Sequence, residues 1–340
     1  MAQNYKELGI NKMVAGFFRN NDKLGYVLLP VAAIFVWAFS LILPPFHQVS
    51  EVKTSFIYSV FLNGGSVNLF LGLNLLFSIA NGYLISFVCT KHEISDKQNL
   101  LPGFFFILFT GLLNLSGAFH PIIPASTIVL IALFRLFSIY REEMSLSEVF
   151  DASFLLSLAV LVYAPFIVFV SIPFIAMLIL KPFKLREWLL SLLGLLVPLI
   201  LASALLFMGN RDYLYYWQII RESIIPIHAF SFGKGTFLIH IAAVLCFFLS
   251  IIYMLGRSNS QKIKTQKVKY VLLWMFVLGF LSIFVMAEAQ FFMGALVLIQ
   301  LSIFIGDYIG GTKKNGLREF LTLLILVAYV CSNLQAVGYL

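Results

Sequence analysis

Apolar residues gather into long runs separated by short polar gaps, and most runs are long enough to cross a bilayer as helices. At 1.5 Å per residue, roughly 20 residues cover about 30 Å of hydrocarbon. On that basis spans are expected at about 24–43, 66–89, 101–118, 122–140, 187–208, 235–255, 270–286, 291–309 and 319–338. Between the fourth and fifth lies a further run, Ala152 to Leu180, interrupted at Tyr163, Ala164 and Pro165. Pro165 lacks an N–H and disfavours helix at Ala164, so this run is expected to form two short antiparallel helices, 152–163 and 166–180, with both outer ends on one side. At 12 and 15 residues they reach only roughly 18 and 22 Å, so their turn is not expected to be fully exposed. The pattern predicts an all-α polytopic membrane bundle of about eleven segments. The period-two alternation of barrel strands is absent.

Charge alternates from gap to gap. Eighteen of the 23 Lys and Arg lie before Leu24, in 90–100, at Arg141, and in 181–186, 257–269 and 313–318; Lys53, Arg211, Arg221 and Lys234 occupy the intervening gaps. Basic residues concentrate in short cytoplasmic loops. The N-terminus and the loops 257–269 and 310–318 are therefore expected inside, and Leu340 outside. Composition agrees, because 61% hydrophobic and 11% charged residues leave little polar surface for a shell in water. The net charge of +8 is spread over loops that orient helices, so the expected partner is the lipid bilayer and not nucleic acid. Ahead of the first span, Ile10, Met13, Val14, Phe17 and Phe18 recur at helical spacing among Lys6, Lys12, Arg19 and Lys23. Residues 1–23 are expected to be an amphipathic helix in the cytoplasmic interface, either an anchor or a docking helix for a partner, with 24–340 a single integral membrane domain.

Cys89, Cys246 and Cys331 sit in separate apolar runs without C-x-x-C spacing, which suits packing. No H-x-x-H or clustered Asp pattern occurs, so neither metal nor cofactor is expected. The expected outer face collects His47, Glu51, His120, Asp212, Glu222, His228 and Glu288 from four loops. Two readings stand. These groups border one cavity with Arg211 and Arg221, or they are simply hydrated loop residues. Arg135, inside a run, is expected to snorkel or to pair with Glu142 or Asp151, the alternative being an anchor for a lipid phosphate. His240 is expected as a neutral imidazole bonded to a neighbouring helix. The stretch Gly209 to Lys234 interleaves Arg211, Asp212, Tyr213, Tyr215, Tyr216, Trp217, Arg221 and Glu222. It suits a helix in the outer interface, as a plain aromatic belt or as the lip of a lipid-phosphate site.

From about 118 to 220 the chain reads His120-Pro121, a span ending in Arg135, Tyr140-Arg141, Asp151-Ala152-Ser153-Phe154-Leu155-Leu156-Ser157-Leu158-Ala159, Ala164-Pro165, Ile172-Pro173 and Arg186-Glu187-Trp188. This order resembles a family of bacterial polytopic inner-membrane proteins of no assigned activity, and is similar to the hydrophobic core of GT-C-type glycosyltransferases. The second resemblance implies transfer of a sugar from a polyprenyl-phosphate donor at the outer face, with Glu51 as general base and Arg211 or Arg221 holding the donor phosphate. GT-C enzymes carry one or two acids, often as a pair, in their first outer loop. Here Glu51 stands alone, matching by loop position. A non-catalytic membrane subunit or scaffold of an envelope-assembly or secretion complex, with membrane-protein partners, is the alternative. A lipid or solute transporter is the third.

Overall fold

The computed structural model describes residues 14–19, 23–42, 67–95, 99–111, 121–140, 142, 145–209, 215–223, 237–257, 261–282, 295–312 and 315–337. Among these every regular element is helical, so the fold is all-α. The helices are α1 (Val14–Arg19), α2 (Lys23–Ile42), α3 (Val67–Lys91), α4 (Leu101–Gly111), α5 (Ile122–Ser138), α6 (Leu146–Val162), α7 (Ile172–Leu180), α8 (Leu185–Met208), α9 (Tyr215–Ser223), α10 (Phe237–Gly256), α11 (Ile263–Ser282), α12 (Leu298–Gly311) and α13 (Asn315–Val337), with 3₁₀ turns at Ala164–Ser171 and Ala295–Val297. A helix therefore lies at each of the nine expected spans. The Gly72–Lys91 part of α3 and all of α8 are long and apolar enough to cross a membrane. Elsewhere the described apolar stretches are shorter, as in Leu24–Ala38, Ile122–Ser138 and Leu298–Gly311.

Several helices begin earlier than the apolar runs do. α11 starts at Ile263 and carries Lys264, Lys267 and Lys269 in its first two turns, α13 starts at Asn315, and α6 starts at Leu146. Lys, Gln, Arg and Glu are good helix formers, and hydropathy finds the apolar part of a helix while missing its polar first turns. Residues 263–269, expected in a loop, are accordingly helical.

The run from Ala152 to Leu180 is broken where Pro165 demands it. Tyr163 is extended, with φ −142° and ψ 101°, and the chain restarts as the 3₁₀ turn before passing into α7 at Ile172-Pro173. Pro165 and Pro173 both fall in the first turn of their element, where the missing N–H has no intrahelical partner to lose. Tyr163, Ala164 and Phe166 at the turn are buried. The two outer ends meet, because Lys181 after α7 donates to Ser145 Oγ before α6 at 2.5 Å.

α4 is the centre of the bundle. All its residues are buried, and it packs against α12, α3, α2 and α1. Its start is set by Asn99, whose Oδ1 accepts the Leu101 N–H at 3.0 Å while its Nδ2 donates to the Gly306 carbonyl at 3.0 Å. Two close crossings need glycine. A Cβ on Gly103 would overlap the Gly82 carbonyl of α3, and one on Gly306 would come within 2.5 Å of Pro102 N. On the other side α3 packs on α5, α5 on α6, and α6 on α8. Among the described residues, several helices turn apolar faces outward. Stripes such as Val27, Val31 and Phe35 on α2, Leu189, Leu196 and Ile200 on α8, and Phe248 and Ile252 on α10 stand largely exposed.

Candidate functional site

Polar side chains join helix ends at several separate junctions, Asn99 with Gly306, Lys181 with Ser145, Thr265 with Glu93 and Glu319 with Ala15, and the cations of these ends make this the basic end. Its first junction centres on Lys181, whose side chain is 2% exposed. The ammonium meets Glu187 Oε1 at 2.6 Å, Ser145 Oγ at 2.5 Å and the Glu142 carbonyl at 3.4 Å. All three of its protons thus have acceptors, the condition under which a buried ion pair is tolerated. One side chain joins the ends of α6 and α7 to the start of α8.

A second junction joins α11 to α12, where Lys269 donates to Asp307 Oδ2 at 2.6 Å with both side chains buried. The loop after α3 docks beside it. Glu93 has a positive φ of 55°, its carbonyl accepts from Thr265 Oγ1 at 3.2 Å, and its carboxylate meets Lys262 at 2.8 Å. The hydrogen bond and charge of Lys262 hold that carboxyl below its usual range. His92, 2% exposed, lies edge-on to Phe134 and Phe137 of α5, with centroids 5.4 and 5.5 Å apart. Neither ring nitrogen makes a well-formed hydrogen bond. Burial first, then the Lys264 and Lys91 charges, pull its pKa down to about 4, opposed in part by the Phe134 backbone. A third junction holds α1: Arg318 lies 3.7 Å from Glu319, and Glu319 Oε2 accepts the Ala15 N–H at 3.1 Å. Met254, Gln261, Gln266, Lys269 and Tyr270 line a small recess of about 10 Å³, far below the roughly 300–1,000 Å³ of most small-molecule sites.

Of the five sequence-predicted site residues, Glu51, His120, Arg211 and His228 lie outside the described residues, as do His47, Asp212 and Glu288. Arg221 is described. It is exposed on α9, which packs against the 3₁₀ turn at the tip of the hairpin, at the end of α8 remote from Lys181. Amphipathicity explains that docking, since Tyr216, Ile219 and Ile220 are buried while Trp217 is 46% exposed. Arg135 meets Asp151 at 3.7 Å, both side chains about half exposed, as the pairing expectation required. The side chain of His240 lies outside the described residues. Among the described residues no group of three His, Cys, Asp or Glu is arranged to hold a metal ion.

The buried pairs are hidden in the sequence because Lys181 and Lys269 stand at the edges of apolar runs, where cations are expected in loops. The available signal was Asp307, an acid within an apolar run, which calls for a buried partner. A polar stripe on α3 is hidden as well, where Asn81 Nδ2 donates to the Ile123 carbonyl of α5 at 2.9 Å and Ser78 meets Thr110 of α4 at 3.0 Å. No known protein family, curated protein or solved structure matches the chain.

Proposed function

We propose that this is a multi-pass protein of a bacterial inner membrane, with its basic end in the cytoplasm, that handles a polyprenyl-phosphate lipid at the opposite face in the manner of a GT-C-type sugar transferase. The membrane part rests on the outward apolar faces. Exposed apolar stripes on α2, α8 and α10 suit contact with lipid better than with water, and the cations gather in alternate gaps, as the positive-inside rule expects.

The observation that carries the lipid-phosphate part is α9. It lays an apolar face on the hairpin tip and leaves Trp217 and Arg221 exposed, which suits a helix at headgroup depth. Arg221 is exposed on α9, and a planar guanidinium fork suits phosphate oxygens. On this reading Arg211 shares that role, His120 and His228 border the same cavity, and Glu51 acts as base within about 2.6–3.2 Å of an acceptor hydroxyl.

The test is transfer from a polyprenyl-phosphate sugar by membranes containing the protein, compared with Glu51→Ala, Arg211→Ala and Arg221→Ala at matched expression. Loss in all three supports the enzyme reading; full cellular function in each removes it. A second reading, a non-catalytic subunit of an envelope-assembly complex, is favoured by α8. That helix buries Ser191, Gly194, Leu195 and Pro198 and turns Leu189, Leu192, Leu193 and Leu196 outward, a face suited to a partner helix. Crosslinking from residue 192 or 196 to another membrane protein, with transfer absent, would favour it.

A further inference from the structure

Pro182 to Arg186 are five consecutive exposed residues, framed by two side chains that are almost wholly buried. Lys181 and Glu187 close this segment into a short loop through their 2.6 Å ion pair. Inside the loop the backbone is extended at Lys181 and again at Lys184. The Lys184 carbonyl then accepts the Glu187 and Trp188 N–H groups at 3.0 and 3.3 Å, starting α8. With both ends tied, the side chains between them turn outward, and Phe183 and Leu185 are 61% and 63% exposed. Phe183 stands on an aromatic base: its ring lies 5.1 Å from Trp188, which lies 5.3 Å from Phe174.

Charge on the loop is of one sign. Lys184 and Arg186 are exposed cations, and the one acid at the edge of the loop, Glu187, pairs with Lys181. The order Phe183, Lys184, Leu185, Arg186 therefore alternates apolar and cationic groups on a segment whose position is fixed. That alternation complements a surface that is apolar beneath and anionic above, which free phosphate in water is not.

We propose that residues 182–186 bind the anionic headgroups of a phospholipid leaflet at the basic end. Phe183 and Leu185 enter the interface, and Arg186 with Lys184 meets the phosphates. The buried Lys181 positions the loop and does not touch lipid. This inference rests on the membrane reading above, and the experiment separates the two.

The full-length protein, with Trp37, Trp217 and Trp274 replaced by Phe so that Trp188 alone fluoresces, is reconstituted into phosphatidylcholine vesicles. These contain equal fractions of either brominated phosphatidylglycerol or brominated phosphatidylcholine. The anionic quencher is expected to act about threefold or more strongly than the zwitterionic one, a preference abolished in the Lys184→Gln/Arg186→Gln variant. Equal quenching by both lipids overturns the headgroup site while leaving the membrane reading intact, and so does a preference that survives the double substitution. Absence of quenching by either lipid overturns both. Should the tryptophan replacements prevent folding, the protein with all its tryptophans answers instead: phosphatidylglycerol should raise its melting temperature in detergent more than phosphatidylcholine does. That margin must shrink in the double variant, and an unchanged margin overturns the site.

Discussion

One to three turns inward from the basic end the helices meet through hydroxyls, amides and glycines, whereas at that end ions join them. Ser153 lies 2.8 Å from Ser191, Ser157 donates to the Leu195 carbonyl at 2.7 Å, and α3 crosses α4 at Gly82 and Gly103. Toward the end stand Lys181 with Glu187, Lys269 with Asp307, and Arg318 with Glu319. Both regions are buried, so burial alone does not explain the division. On the proposed membrane reading depth does: between helices in an apolar medium a neutral hydrogen bond contributes modestly, while a charge is tolerated only near an interface or with its partners in place. Small residues inward of the basic end allow close approach, and ion pairs at the end fix which termini come together.

The largest effect should come from breaking the ionic junction. Lys181→Met leaves the Glu187 carboxylate buried without its partner and should destabilise the protein by about 3–5 kcal/mol, read by denaturant titration in mixed micelles. The double variant Lys181→Met/Glu187→Leu should recover most of that loss, since the cost lies in the unpaired charge. A double variant as unstable as the single would show that the Ser145 and Glu142 bonds carry the junction.

Acid probes the same end by another route. His92 titrates at about 4 in the folded protein against roughly 6.5 when exposed. Between those values the unfolded chain binds the extra proton, so stability is full above about 6.5 and falls as pH drops toward 4. The loss from this group approaches roughly 3 kcal/mol. His92→Phe should remove that part of the acid slope in a pH series of unfolding midpoints, and an unchanged slope would assign it to carboxylates such as Glu93, held low by Lys262.

Substitutions among the neutral contacts should do less and should be insensitive to pH. Gly103→Ala sets a methyl against the Gly82 carbonyl and should cost about 1–3 kcal/mol by forcing α3 from α4. Ser157→Ala, removing one hydrogen bond to Leu195, should cost only about 0.5–1 kcal/mol. If Ser157→Ala proved as damaging as Lys181→Met, the distinction between the two regions would fail.

The helices were legible in the sequence because an apolar run and a helix that buries it have the same cause. Pro165 was legible for a local reason, its missing N–H, and the Arg135 pairing followed from the short reach between Arg135 and Asp151. Helix starts were not, as at Ile263, because hydropathy is blind to Lys-rich first turns. The ionic junctions were hidden more deeply: Lys269 and Asp307 lie on separate helices, and nothing local to either names the other. Of the expected outer-face site only Arg221 falls among the described residues, and its exposure on an amphipathic helix follows from the aromatic and charged interleaving of 213–222.

On the proposed membrane reading the ionic end faces the cytoplasm, and sidedness can be measured directly. With Cys89, Cys246 and Cys331 replaced by Ala, single cysteines at Arg186→Cys and Trp217→Cys are exposed to a membrane-impermeant maleimide on intact spheroplasts and after lysis. Residue 217 should label in intact spheroplasts and residue 186 only after lysis. Labelling of residue 186 from outside, or recovery of the protein in the soluble fraction, would contradict the account.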